Sequence, residues 1–112
     1  MHELSLCRTI VGIAERAAAG RAVASILLDV GQLRQVVPET LVYCWGVVTD
    51  SSPLAGSELK VNSIPAVISC TSCGADTTLR GIPLLVCGSC GSGAVTVTSG
   101  EEFLVRSIDV KD

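Results

Sequence analysis

The chain has 112 residues, of which 48% are hydrophobic but only 3% aromatic, so any core is built from Val, Leu, Ile and Ala without the large burial per residue that aromatic rings give. Its formal net charge is −3 and its eight Lys and Arg residues are scattered, which excludes the basic stripe that nucleic acid requires. No run of about 18 apolar residues offers a membrane span, and the N-terminus lacks the basic region and apolar core of a signal peptide, so neither nucleic acid nor membrane is an expected partner and the expected location is cytoplasmic.

Residues 4–19 have helical spacing, with Leu6, Ile10, Ile13 and Ala17 recurring at steps of three or four and Ala14 on the same face. Gly20 is a plausible stop. Residues 22–30, "AVASILLDV", read as a strand with Ile26, Leu28 and Val30 on one face and Ser25 and Asp29 on the other. After a connector, Pro38 suits the first turn of a second helix running to about Val48, with Leu41, Trp45 and Val48 on one face. "TDSSPLAGS" is turn chemistry. A strand is expected at 58–65, and the last at 102–110, where Leu104, Ile108 and Val110 share a face interrupted by Arg106. With residues 67–97 set aside, helix, strand, helix, strand and strand remain. The expected fold class is therefore α+β, two helices packed on a three-stranded sheet, with an inserted four-cysteine, zinc-ribbon-like module. The expected domains are 1–66 plus 98–112, and 67–97.

The inserted stretch, "CTSCGADTTLRGIPLLVCGSCG", holds two copies of Cys-x-x-Cys-Gly, with thirteen residues between Cys73 and Cys87. Two thiolates three positions apart grip one ion if the backbone turns sharply, and the glycine after the second cysteine tolerates the positive φ of such a turn. Two such knuckles put Cys70, Cys73, Cys87 and Cys90 around one tetrahedral ion, a geometry Zn(II) accepts at Zn–S distances of about 2.3 Å. All four positions are cysteine, so no place remains for substrate, and the expected role is structural. The same double knuckle also suits a rubredoxin-like iron redox carrier or a zinc-ribbon adaptor that binds another protein. Cys7 and Cys44 stand apart and are expected to be small, partly buried hydrophobes. No catalytic residue is expected, and the chain does not read as an enzyme.

The only histidine is His2. The α-amine of Met1, the His2 main-chain amide nitrogen and the His2 imidazole form fused five- and six-membered chelate rings. Ionising an amide is costly, so the set calls for a strongly binding divalent ion such as Ni(II) or Cu(II), both suited to tetragonal N,O geometry. Glu3 is a candidate to complete the shell. The competing view is a solvated terminal residue.

Read together, "MHELSLC", "VPETLVYCWGVVTDSSPLAGSELKV", "CTSCG…CGSCG" and "VRSIDV" resemble the HypA/HybF family of hydrogenase-maturation nickel metallochaperones. The resemblance spans the whole chain. It implies an α+β nickel domain and a separate zinc domain. It implies Ni(II) carried as cargo by the N-terminal amine, a main-chain amide and His2, with Met1 and the acidic neighbour Glu3 in the same motif. It implies structural Zn(II) on Cys70, Cys73, Cys87 and Cys90. The partners it implies are a HypB-type GTPase, the large subunit of [NiFe]-hydrogenase and, for some members, the urease maturation proteins. Some relatives carry histidines beside the zinc cysteines; this chain has none. The metal coordination of the four-cysteine module is therefore predicted to be the same at neutral and mildly acidic pH, because no adjacent imidazole titrates there. X-ray absorption at both pH values checks this, and a change of ligand set on acidification would contradict it.

Overall fold

A computed structural model describes residues 2–111. In chain order it contains α1 (His2–Ala18), β1 (Val23–Gly31), a short 3₁₀ turn (Gln32–Arg34), α2 (Pro38–Thr49), β2 (Glu58–Ile64), β3 (Val67–Cys70), β4 (Asp76–Thr78), β5 (Val95–Ser99) and β6 (Phe103–Val110). The strands form two three-stranded sheets, ordered β2-β1-β6 and β4-β3-β5. Contacts divide the chain into two compact units: one holds the chain up to Asp29, Val36–Asn62 and the segment from Leu104, and the other holds Val30–Gln35 and Ser63–Phe103. No helix among the described residues is long and apolar enough to cross a membrane.

In the first unit, α1 begins at His2, two residues earlier than its apolar periodicity suggests. Its buried stripe is Glu3, Cys7, Ile10, Ala14 and Ala18. The expected Leu6, Ile13 and Ala17 flank that stripe, since Leu6 and Ile13 are half-buried and Ala17 is exposed. The helix is thus rotated toward a small thiol and two alanines, residues that let a second helix approach closely. That helix is α2, whose buried side chains are Leu41, Trp45 and Thr49. The Cys7 thiol, fully buried rather than partly so, donates to the Leu41 carbonyl at 3.5 Å. Trp45 is almost fully buried, and its indole N–H donates to Ser57 Oγ at 3.0 Å. The Ser/Pro/Gly turn after α2 also contributes to the core, since Leu54 is buried within it.

β1 is the central strand of its sheet and is covered on both faces, with Ser25 and Asp29 buried alongside Ile26, Leu28 and Val30. The Lys111 amide bonds the Ala22 carbonyl, Ser25 Oγ donates to Asp109, and Arg106 reaches Asp29, so β6 runs antiparallel to β1. Asp29 accepts from Asn62 Nδ2 at 3.0 Å and from Arg106 Nε at 2.7 Å. The charge that interrupts β6 in the sequence is therefore the partner of the buried carboxylate in β1.

In the second unit, β3 pairs antiparallel with both β4 and β5. Ala66, Ile68 and Leu79 form its small core, with Leu33, Val95 and Val97 packed against them. The 3₁₀ turn and the ends of its neighbours join this unit: the Leu33 amide bonds the Gly100 carbonyl and Gln32 Oε1 accepts from the Ala66 amide. A Cβ at Gly31 would fall 2.1 Å from the Gly100 backbone, so only glycine permits that approach.

The hydrogen bonds from Asn62 and Arg106 hold the Asp29 carboxyl below its usual range. A carboxyl with a lowered folded value stabilises the fold above its unfolded value, and that contribution disappears as pH falls through the folded value. Asp29→Asn is expected to lower the thermal midpoint at neutral pH and to reduce the loss of stability below roughly pH 4. Thermal melts from neutral pH to pH about 3 check both effects. An Asp29→Asn melt that tracks the wild type at every pH would contradict the assignment.

Candidate metal centres

The four-cysteine centre is built from two copies of one backbone motif. β3 ends at Cys70, whose carbonyl accepts from the Gly74 amide at 2.9 Å; the Cys87 carbonyl accepts from Gly91, also at 2.9 Å. The Cys70 amide closes on the Ala75 carbonyl at 2.9 Å and the Cys87 amide on Ser92 at 2.8 Å. Gly74 and Gly91 sit at φ +80° and +76°, the left-handed turn that the sequence assigns to the glycine after each pair. The Gly88 amide donates to Thr77 Oγ1 at 3.0 Å, tying the second knuckle to β4.

These turns bring the sulfurs of Cys70, Cys73, Cys87 and Cys90 within 4.8 Å of one another. Cys70–Cys90 and Cys73–Cys87 are each 3.6 Å apart. A tetrahedron with Zn–S bonds of about 2.3 Å has edges of about 3.8 Å, so the four side chains already fit one. Cys70 and Cys87 are buried, whereas Cys73 and Cys90 are exposed.

The amides also favour thiolate at two of the positions. The Cys73 amide, 3.4 Å from Cys70 Sγ, draws that thiol down. The Cys90 and Ser89 amides, at 3.4 and 3.3 Å, bring Cys87 to about 6. The neighbours then repel further charge. Cys73, although the Ala75 amide pulls it down, is pushed up to about 12 by Cys87 and Cys70. Cys90 rises for the same reason despite the Ser92 amide, chiefly through Cys70. Four thiolates at this spacing need a cation, and a divalent ion lets all four ionise together.

At the other end of the sequence, His2 is the first residue of α1 and is exposed. The first four amides of an α-helix have no partner within the helix, so the helix makes no use of the His2 N–H. Met1 lies outside the described residues. Glu3 is buried, and its Oε2 accepts the Val37 amide at 3.4 Å. Val37 is the residue that precedes and caps α2. One Glu3 oxygen therefore joins the start of α1 to the positive end of α2. The sequence carries no local signal for that contact, because Glu3 and Val37 are 34 residues apart. Glu39, beside them in the first turn of α2, is exposed. The two centres differ in kind: one is a sulfur cage with two buried cysteines, and the other an exposed imidazole beside an amide that the helix leaves unused.

Residues 1–110 match the family HypA, described as "Hydrogenase/urease nickel incorporation, metallochaperone". The chain belongs to the HypA family. A hydrogenase maturation factor HypA of Geobacter metallireducens is 36% identical over 99% of this chain and all of its own length. The counterpart from a Nostoc species is 35% identical over all of this chain and 97% of its own. In fold, the chain is similar to the solution structure of the nickel metallochaperone HypA from Helicobacter pylori, with a TM-score of 0.67 at 18% identity, covering 98% of this chain and 97% of that one. The HypA relationship removes support from the iron redox carrier and from the zinc-ribbon adaptor.

The second unit has only a small core, so the ion is expected to supply much of its folding energy. Stripping the metal with a chelator, or introducing Cys87→Ser, is expected to remove amide protection across β3, β4 and β5, while the emission of Trp45, the single tryptophan and part of the first unit's core, stays unchanged. Hydrogen exchange and fluorescence check this. Full protection of β3 after metal removal would contradict it.

Proposed function

We propose that this chain is a nickel metallochaperone that holds Ni(II) at its N-terminus and delivers it to the large subunit of [NiFe]-hydrogenase during maturation. The observation that carries the reading is the HypA match over residues 1–110 together with an exposed His2 on the first turn of α1. The proposed ligands are the Met1 α-amine, the His2 amide nitrogen and the His2 imidazole. Because the helix leaves the first-turn amides unbonded, ionising the His2 amide breaks no helical hydrogen bond. The positive end of α1 disfavours a cation, and the ionised amide offsets it. A shell with so few protein atoms, open to solvent, exchanges its ligands readily, as cargo requires. Glu3 belongs to the same motif; its bond to Val37 supports a positioning role that holds the first turn of α1 against α2.

The ion in the four-cysteine centre is proposed to be Zn(II). Its four sulfurs leave no position for substrate, so it serves the fold and not the transfer. The chain is accordingly proposed to be a carrier and not an enzyme, acting in the cytoplasm. Its partners are proposed to be a HypB-type GTPase, the hydrogenase large subunit and, where the host has one, the urease maturation proteins.

Calorimetric titration of untagged protein with Ni(II) tests the nickel assignment. His2→Ala is expected to weaken binding at least about ten-fold, or about 1.4 kcal/mol, while the metal content of the cysteine centre is unchanged. Equal nickel affinity in the two proteins would overturn the site.

A further inference from the structure

Two of the six cysteines lie outside the metal cluster. Cys7 is fully buried on α1 and Cys44 is half-buried on α2. The Cys7 thiol donates to the Leu41 carbonyl oxygen at 3.5 Å. In an α-helix a carbonyl points along the axis into the following turn. Side chains three or four positions further on reach it, as serine and threonine hydroxyls do when they bond back to their own helix. Cys44 is three residues after Leu41. Cys44 therefore shares a turn of α2 with the carbonyl that the Cys7 thiol reaches. Burial first, and then the nearness of Cys44 and Glu3, push the Cys7 thiol up to about 11.

We propose that Cys44 and Cys7 form a thiol pair that exchanges with a low-molecular-weight disulfide of the glutathione class, Cys44 as the attacking thiol and Cys7 as the resolving one. Half-buried Cys44 gives its proton to solvent, and its thiolate attacks one sulfur of the small disulfide. That S–S bond breaks, a mixed disulfide forms on Cys44, and one glutathione leaves as thiolate and takes up a proton. The Cys7 thiolate then attacks Cys44 Sγ. The mixed disulfide breaks, Cys7 and Cys44 are joined, and the second glutathione leaves and is protonated. In balance, two protein thiols are oxidised and one small disulfide is reduced to two thiols. The bridge fixes the first two turns of α1, which carry His2 and Glu3, to α2. Attack requires thiolate, so with the Cys7 thiol held high the second step is slow at neutral pH and accelerates about ten-fold per pH unit on the way to its own titration.

The test uses metal-loaded protein, in which the ion occupies the four clustered sulfurs. Oxidised glutathione is added, the reaction is quenched with acid, and the peptides are mapped. The expected result is that both remaining thiols are consumed, that a Cys7–Cys44 linked peptide appears and that dithiothreitol reverses it. Cys7→Ser is expected to stop at a stable glutathione adduct on Cys44, and Cys44→Ser to leave Cys7 unmodified. Wild-type protein that retains glutathione on Cys44 with Cys7 still free would overturn the proposal. So would a lack of reaction at either thiol, or a bridge from Cys7 or Cys44 to a clustered cysteine. The wild-type map decides even if a variant fails to fold.

Discussion

Four sulfurs held within 4.8 Å of one another are the constraint on which the second unit depends. As isolated groups they conflict: backbone amides draw Cys70 and Cys87 toward thiolate, and that charge pushes Cys73 and Cys90 the other way. A divalent ion removes the conflict and converts it into folding energy. With such an ion bound, β4 can be only three residues long and a core built around Ala66, Ile68 and Leu79 can suffice. The shared ion also accounts for the repeated motif. Gly74 and Gly91 repeat one turn, and Ala75 and Ser92 accept the same amide bond from the first cysteine of each pair.

The first unit solves a different problem. Its core is mainly aliphatic, with Trp45 and the Cys7 thiol within it, and it uses small residues on α1 to bring α2 close. Among the described residues it buries two carboxylates, Asp29 and Glu3. Asp29 is held by Asn62 and Arg106 across the sheet. Glu3 is held by the Val37 amide at the start of α2. The second of these bears on the proposed nickel site, because it ties the turn of helix that begins with His2 to the start of α2. An exchangeable site of very few atoms needs its donors presented in a consistent direction, and a buried neighbour on the same helical turn does this without adding a tightly binding ligand. Under the proposed function the two sites serve opposite ends: the sulfur cage holds structure, while the terminal site is open and suited to release.

Much of this was legible in the sequence. The Cys-x-x-Cys-Gly repeats specify local turns, and local turns follow from local residues, so the glycines fall at positive φ as the spacing demands. Pro38 marks the start of α2, and Leu41 and Trp45 mark its buried face. The chain order of helix, strand, helix, strand and strand in the first unit was readable because period-two and period-3.6 patterns differ. What escaped the sequence depends on long-range pairing. Apolarity alone ranks Leu6 and Ile13 above Cys7 and Ala18, but close helix packing selects the smaller side chains. Arg106 reads as an interruption until Asp29 is placed beside it, 77 residues away. Glu3 reads only as a candidate metal ligand until Val37 is placed beside it, 34 residues away. The strands of the cysteine unit are three to five residues long, too short for periodicity to declare them.

Under the proposed function, cargo and structural metal occupy chemically separate sites, nitrogen at the N-terminus and sulfur at Cys70, Cys73, Cys87 and Cys90. X-ray absorption on protein loaded with one equivalent of nickel, recorded at the edges of both metals, tests it most directly. The expected result is a nickel shell of nitrogen and oxygen with a histidine scattering pattern and no sulfur, and a second metal surrounded by four sulfurs at about 2.3 Å. Sulfur in the nickel shell, or a loss of sulfur from the other metal when nickel is added, would contradict it.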